Sequence, residues 1–172
     1  MFEWELWIQN KEKCEKAFNR YLDRGIIKLE TEKESLSNSH LKRTNYNIDF
    51  VNTTINQGKF YSWAIVGCYY SIYHAALSLL SIKGYSSKNH SATLCALIYL
   101  YLDHEKAKLT EEDIKLIAKS SIEKQEVSYF VEAKKQREAA SYGISETFTK
   151  NESIELRRNT ILFVNKVKEI LE

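Results

Sequence analysis

The sequence contains no proline and only five glycines among its 172 residues. Proline interrupts helices because it lacks a backbone N–H and fixes its own φ angle, and glycine shapes tight turns. A chain with so few of either is biased toward long helices with few breaks. Its length suits one domain built around one hydrophobic core. We therefore predict a single all-α domain over residues 1–172.

Charge and cysteine content exclude several classes of function. The 25 Lys and Arg residues exceed the 23 Asp and Glu residues by only two, so the chain as a whole has no field that favours nucleic acid or a membrane. Cys14, Cys68 and Cys95 lack the paired spacings of zinc sites and disulfide frameworks, and we expect reduced thiols. The first residues do not form a signal-peptide pattern, and no apolar run predicts a membrane span. We expect a cytoplasmic protein without a bound metal or cofactor.

Apolar residues recur at intervals of three and four along most of the chain, as on one face of a helix. No alternation of apolar and polar residues is long enough to predict a strand. The polar, serine-rich residues 30–40 are predicted to form a loop, and Gln57-Gly58 and Gly84 to end helices. The pattern predicts an up-and-down bundle of about five to six helices, at roughly 4–29, 41–55, 60–83, 91–101, 110–133 and 153–171.

The segment 60–83 is the most apolar part of the sequence. Trp63, Tyr70 and Leu77 fall on one face of the predicted helix, and further apolar residues such as Ile65 and Ile72 fall on the others. A helix that is apolar all round must be covered all round. We therefore expect a central helix whose remaining surface is covered by neighbouring helices, by a second copy of the chain, or by both.

Tyr70 and His74 are four residues apart on this central helix, so both side chains project from the same face. An imidazole in that position can bind phosphate, shuttle protons or satisfy a buried hydroxyl. A metal site is not expected, because no histidine or carboxylate lies three or four residues from His74. The spacing alone leaves the binding and the structural interpretations open.

Lys88 and His90 lie in the serine-rich stretch 86–91, at the start of a predicted helix. Exposed backbone N–H groups, a cation and an imidazole could together hold a phosphate there. The alternative is an ordinary solvated helix cap formed by serine and asparagine side chains. Both interpretations remain open from the sequence.

Arg137 and Tyr142 lie in a basic stretch followed by small residues. An arginine beside Ala139 and Ala140 can rest against closely packed backbone and present its guanidinium to phosphate or carboxylate. Arg137 and Tyr142 are five residues apart, so on a helix they are offset, yet both can border one cleft. The sequence contains no glycine-rich phosphate loop, paired-carboxylate site or Ser-His-Asp order that could indicate another enzyme class.

Three segments, Tyr69–Ala76, Gly84–His90 and Arg137–Tyr142, together resemble in order and spacing the blocks of a HEPN subfamily (higher eukaryotes and prokaryotes nucleotide-binding) found in archaea and bacteria. The resemblance covers roughly residues 40–170. It implies an up-and-down helical bundle that commonly forms a symmetric homodimer. It also implies a partner, a minimal nucleotidyltransferase, in a toxin–antitoxin-like pair.

Many HEPN proteins are metal-independent ribonucleases, with an arginine followed about four to six residues later by a histidine. Arg137 matches that arginine, but Tyr142 stands where the histidine is expected. A phenol with an unperturbed pKa of about 10 is a poor substitute for imidazole in acid–base catalysis. The resemblance therefore implies binding of nucleotide or RNA more than cleavage, at a cleft where these residues converge: Tyr70, His74, Lys88, His90, Arg137 and Tyr142.

Two other functions remain open from the sequence. The first is a metal-independent ribonuclease that uses Arg137 and Tyr142 together with His74, or in which His74 or His90 replaces the missing histidine. The second is a non-catalytic helical scaffold for protein interactions. The two differ in whether the chain acts on RNA at all.

Overall fold

The computed structural model describes residues 3–102, 109–119 and 148–172. Over these residues the protein is helical apart from its connections and two short strands, so the all-α class predicted from the sequence is confirmed. Seven helices are present over the described residues, more than the five to six expected. They are α1 Glu3–Gln9, α2 Lys11–Asp23, α3 Lys33–Asn56, α4 Tyr61–Ile82, α5 His90–Tyr101, α6 at 111–119 and α7 Lys150–Leu171, with strands β1 Ile27–Leu29 and β2 Tyr85–Ser87.

Helix α4 is the centre of the fold, as predicted. It packs against α3, α5 and α7, and most of its residues are buried. In the part of the chain that the structure describes, it is the one helix long and apolar enough to cross a membrane, and 72% of its most apolar window is buried inside the protein. Such burial is what the core helix of a soluble domain shows.

The single helix predicted over 4–29 was wrong in its extent. Asn10 begins a second helix, because its side chain accepts a hydrogen bond from the Lys13 N–H at 2.9 Å. Gly25 then ends that helix with a φ angle of +63°, which favours glycine. Its N–H donates to the carbonyl of Leu22, and the N–H of Ile26 donates to that of Tyr21. The two signals divide the segment into α1, α2 and β1.

The strands form a two-stranded antiparallel sheet that the sequence did not predict. Ile27 lies opposite Ser87, and Leu29 lies opposite Tyr85. The Glu30 N–H extends the pairing by donating to the Gly84 carbonyl at 2.9 Å. Three-residue strands are too short to show a period of two, which is why the pattern missed them. The sheet joins the chain just before α3 to the chain just after α4.

The loop predicted over residues 30–40 was also wrong, since α3 begins at Lys33. Leu36, Ser37 and His40 face inward at helical spacing, but only the first of them is apolar. The serines are accommodated inside the helix, because the Ser39 hydroxyl donates to the carbonyl of Ser35 at 2.9 Å. The correction moves His40 from a loop onto a helix.

Helices α3 and α4 pack closely and run antiparallel. A Cβ added at Gly67 would lie 2.6 Å from Cγ2 of Val51 and 3.0 Å from Phe50, so the absence of a side chain permits the approach. The Thr44 hydroxyl, on α3, lies 3.1 Å from the carbonyl of His40 and 3.4 Å from the Ser71 carbonyl on α4. This register places His40 opposite the second half of α4.

The last two helices begin where the chain offers capping residues. The Thr149 hydroxyl accepts a hydrogen bond from the Glu152 N–H, and the Glu152 carboxylate accepts from the Thr149 N–H, so α7 starts three residues before the predicted Ser153. Thr110 and Asp113 make the same reciprocal contacts before α6, where the sequence predicts a helix to begin. The remainder of the helix predicted over 110–133 lies outside the described residues.

Candidate functional site

Two histidines from different helices meet between α3 and α4. The Nδ1 atoms of His40 and His74 lie 3.0 Å apart, and their ring centroids are separated by 5.2 Å. Both side chains are partly buried. The distance is that of a hydrogen bond between the two imidazoles.

The histidine pair is neutral near pH 7. Burial, followed by the proximity of His40 and Arg43, lowers the pKa of His74 to about 4. Burial also lowers the pKa of His40. In a hydrogen bond between two neutral rings, one Nδ1 carries the hydrogen and the other accepts it. The rings therefore adopt opposite tautomers, so that one Nε2 atom is an acceptor and the other is a donor.

A second histidine contact lies on the other side of Tyr73. The hydroxyl of Tyr69 is 2.9 Å from both ring nitrogens of His90. The Tyr73 ring lies 4.5 Å from the His90 ring and 6.2 Å from the His74 ring, between centroids. We call these five residues the His–Tyr cluster: His40, Tyr69, Tyr73, His74 and His90. The cluster joins α3, α4 and the start of α5.

The phenols of the His–Tyr cluster are also uncharged. Burial raises the pKa of Tyr69, and the neighbouring phenols Tyr73 and Tyr70 raise it further. Burial raises the pKa of Tyr73, and the Thr93 hydroxyl partly offsets this rise. The cluster thus offers neutral hydrogen-bonding groups and ring faces instead of a fixed charge.

Tyr70 lies at the exposed edge of the His–Tyr cluster. Its side chain is 38% exposed, and its ring centroid is 5.0 Å from that of Tyr69. The Arg43 guanidinium is exposed, lies over the Tyr46 ring at 6.0 Å and lowers the pKa of His74. An exposed ring and a cation therefore accompany the histidine pair.

The start of α5 is an ordinary helix cap. The side chain of Asn89 accepts a hydrogen bond from the Ala92 N–H at 2.9 Å, and the Ser87 hydroxyl accepts one from the Asn89 N–H at 3.1 Å. Asparagine at this position satisfies a backbone donor that a phosphate could otherwise use. Of the two interpretations left open by the sequence, the geometry favours the cap, and Lys88 is an exposed side chain beside it.

The structure brings together part of the predicted site. Tyr70, His74 and His90 are connected through Tyr69 and Tyr73. Arg137 and Tyr142 lie outside the described residues, so their convergence on this cleft stays a prediction.

Sequence reasoning missed three members of the His–Tyr cluster. His40 was assigned to a loop, although it follows Leu36 and Ser37 at helical spacing. Tyr69 and Tyr73 are four residues apart on α4, the same spacing as Tyr70 and His74 on the adjacent face. This repeated spacing could have predicted the cluster. Two pairs of rings, each four residues apart and offset from one another by one residue, lie along one side of a helix.

Within the described residues, no group of three or more histidine, cysteine, aspartate or glutamate side chains is placed to hold a metal ion. The histidine pair supplies two nitrogens, fewer than the three or four protein ligands of zinc sites.

Comparison with known proteins does not assign a family. No protein-family model matches the chain, and a search of curated proteins found no match. The fold and the site define an all-α protein with a neutral cluster of imidazoles and phenols.

Proposed function

We propose that the chain is a HEPN-like protein that binds nucleotide or RNA at the His–Tyr cluster. In this proposal it acts in the cytoplasm as a homodimer, together with a minimal nucleotidyltransferase in a toxin–antitoxin-like pair. The observation that carries the proposal is the 3.0 Å contact between His40 and His74, two imidazoles that are neutral near pH 7. The resemblance of three sequence segments to HEPN proteins gives the family.

A neutral histidine pair suits the edge of a nucleobase. Base edges carry hydrogen-bond donors and acceptors side by side, and bases in single strands are read through these edges and by stacking on aromatic rings. The pair offers one Nε2 donor and one Nε2 acceptor. Tyr70, which is 38% exposed, offers a ring for stacking. Arg43 supplies an exposed cation beside them, to which we assign a phosphate contact.

The same geometry favours binding over cleavage. With a pKa of about 4, His74 is neutral at pH 7, so it is a poor general acid. It is also a weaker base than an ordinary imidazole. Tyr142 occupies the position where the resemblance expects a histidine. Both considerations count against ribonuclease activity.

Exposed aromatic residues on α3 and α4 support the homodimer. Phe50 is 44% exposed, Phe60 is 60% exposed and Trp63 is 47% exposed. Phe50 lies against Gly67, and Trp63 lies one turn before that glycine on α4. Clustered exposed rings of this kind mark interaction surfaces. We place the dimer contact here, at the α3–α4 turn, more than two turns of α4 before His74.

The test is binding of nucleotide and RNA by the purified full-length chain. Fluorescence anisotropy with labelled single-stranded oligonucleotides of each base, and calorimetry with the mononucleotides, would detect it. We expect His74→Ala and Tyr70→Ala to weaken binding. Arg137→Ala should weaken it by about tenfold to a hundredfold, because a charge-assisted contact with phosphate contributes about 1.5–3 kcal/mol. Arg158→Ala and Leu162→Ala change an exposed arginine and an exposed leucine on α7, and should bind like the wild type.

Two outcomes would contradict the proposal. Absence of binding to every oligonucleotide and mononucleotide would remove the function and leave the scaffold interpretation. Robust cleavage of RNA without metal, lost in Arg137→Ala, would replace binding by catalysis and would indicate that His74 or His90 serves as the acid–base group. A nucleotidyltransferase gene adjacent to the gene for this chain would support the proposed partner.

A further inference from the structure

A groove separates α1 from α2, and none of its residues belongs to the His–Tyr cluster. Its volume is about 400 Å³, within the range of roughly 300–1,000 Å³ typical of ligand sites. The groove is open to solvent along its length. Its lining consists of Glu3, Leu6, Trp7, Lys13, Lys16, Ala17 and Arg20.

The floor of the groove is apolar and well packed. Trp7 is only 4% exposed, and its ring meets Tyr21 edge to face with 6.4 Å between centroids. Ala17 is 3% exposed, so it and Trp7 form the closed base of the groove. Leu6 forms the wall on the α1 side and is partly exposed. An apolar side chain that enters the groove therefore packs mainly against Leu6.

The rim of the groove is basic. Lys13, Lys16 and Arg20 follow one another on a single face of α2, at intervals of three and four residues, and all three are exposed. Lys16 pairs with Glu12 and Arg20 lies 3.8 Å from Glu3, both in exposed pairs that contribute little to stability. Lys13 makes no ion pair with the residues that the structure describes. The lining thus carries three cations and one carboxylate.

We propose that this groove docks an acidic segment of a partner protein, with one apolar side chain packed against Leu6. Lys13 and Arg20 are seven residues apart, or about 10 Å along the helix at 1.5 Å per residue. An extended segment spans that distance in about three residues. Two carboxylates three residues apart, with apolar residues between them, therefore match both ends of the rim and the wall formed by Leu6.

Charge and shape favour this occupant over others. The surplus of cations in the lining selects an acidic ligand, and the apolar wall formed by Leu6 selects one with an apolar side chain between its charges. A bilayer surface is flat and cannot enter a recessed floor. Nucleic acid would need an exposed ring for stacking, and the Trp7 ring is buried.

The test uses the full-length chain and a labelled peptide. The probe is a fluorescein-labelled Glu-Glu-Leu-Phe-Glu-Glu peptide, and its analogue has every Glu replaced by Gln. Anisotropy should show saturable binding of the acidic peptide that weakens as salt is raised, with little binding of the analogue. The double variant Lys13→Glu/Lys16→Glu should bind at least about fivefold more weakly. Lys28→Glu/Arg158→Glu carries the same charge change at exposed positions outside the groove and should bind normally.

Three results would overturn the proposal. These are no saturable binding, equal binding of the Gln analogue, and wild-type affinity in the Lys13→Glu/Lys16→Glu variant. Phosphatidylserine vesicles or single-stranded RNA could instead displace the peptide from the wild type. If the Lys13→Glu/Lys16→Glu variant also failed to bind that competitor, the groove would be reassigned to a lipid or nucleic acid. Circular dichroism of the variant checks that the fold is intact, which is expected because both lysines are exposed.

Discussion

The hydrogen bond between His40 and His74 joins the first half of α3 to the second half of α4. It requires one neutral Nδ1 as acceptor, so it cannot persist when both rings are protonated. Burial and the nearby Arg43 disfavour that charged state. The neutral histidine pair therefore contributes to the stability of the fold as well as to the proposed site.

Stability should depend on pH through His74. Its pKa is about 4 in the folded chain and about 6.5 when unfolded, so as pH falls the unfolded chain takes up a proton first. We expect the free energy of unfolding to decrease from about pH 7 to about pH 5, where carboxylates stay mostly ionised. Urea unfolding at a series of pH values measures this slope. His74→Gln should flatten it, and Asn45→Gln, at an exposed position on α3, should not. Equal slopes in His74→Gln and the wild type would contradict the assignment.

Gly67→Ala should destabilise the contact between α3 and α4. The added methyl would meet Val51 at 2.6 Å, and a β-branched side chain packed against a helix cannot move aside easily. The free-energy cost of overpacking exceeds the gain from the higher helix propensity of alanine. We expect the free energy of unfolding, measured with denaturant, to decrease by about 1–2 kcal/mol. Ser62→Ala on the same helix is the control and should change stability little. A Gly67→Ala protein as stable as the wild type would show that the two helices can separate slightly at no cost.

The homodimer prediction concerns Trp63. An aspartate at this 47% exposed position would introduce a charge into the proposed contact, so Trp63→Asp should convert the dimer into a monomer. Leu162→Asp makes a similar change on α7, at a side chain that is 59% exposed, and should leave the assembly unchanged. Sedimentation at micromolar concentration distinguishes the two states. A wild-type chain that sediments as a monomer would contradict the prediction.

Removal of metal should leave the protein unaffected. The sequence lacks ligands at metal-binding spacing, and the histidine pair alone is too small a set for zinc. We expect the melting temperature in the presence of a chelator to equal that in its absence. A large decrease would reveal a metal site that includes residues outside those described.

The sequence predicted the parts of the fold that depend on strong local signals. The apolar length of α4, the glycine after it at a φ angle of +83° and the Thr110 cap before α6 each act through one or a few neighbouring residues. The errors came where tertiary contacts override a weak pattern. Residues 33–40 are polar and serine-rich, and they are helical because α3 packs along α4, with His40 in contact with His74.

The candidate site was predicted in part, for a related reason. Spacing along one helix brought Tyr70 and His74 together, but no local pattern could place His40 opposite His74, because the two are 34 residues apart in the chain. Their meeting depends on how α3 and α4 pack together, and the absence of a side chain at Gly67 permits the close approach of the two helices. The contact of Tyr69 with His90 likewise depends on where α5 begins relative to α4.

The small sheet has a consequence for the order of folding. Pairing Ile27 with Ser87 closes a loop of about sixty residues, an entropic cost that three pairs of residues cannot offset alone. Once α3 and α4 have formed an antiparallel hairpin, however, the ends that carry β1 and β2 are already adjacent. The contacts between the two helices have then offset most of the entropic cost of closing the loop. The sheet should therefore form late, and protection of its amides from hydrogen exchange would report that the helical hairpin beneath it is complete.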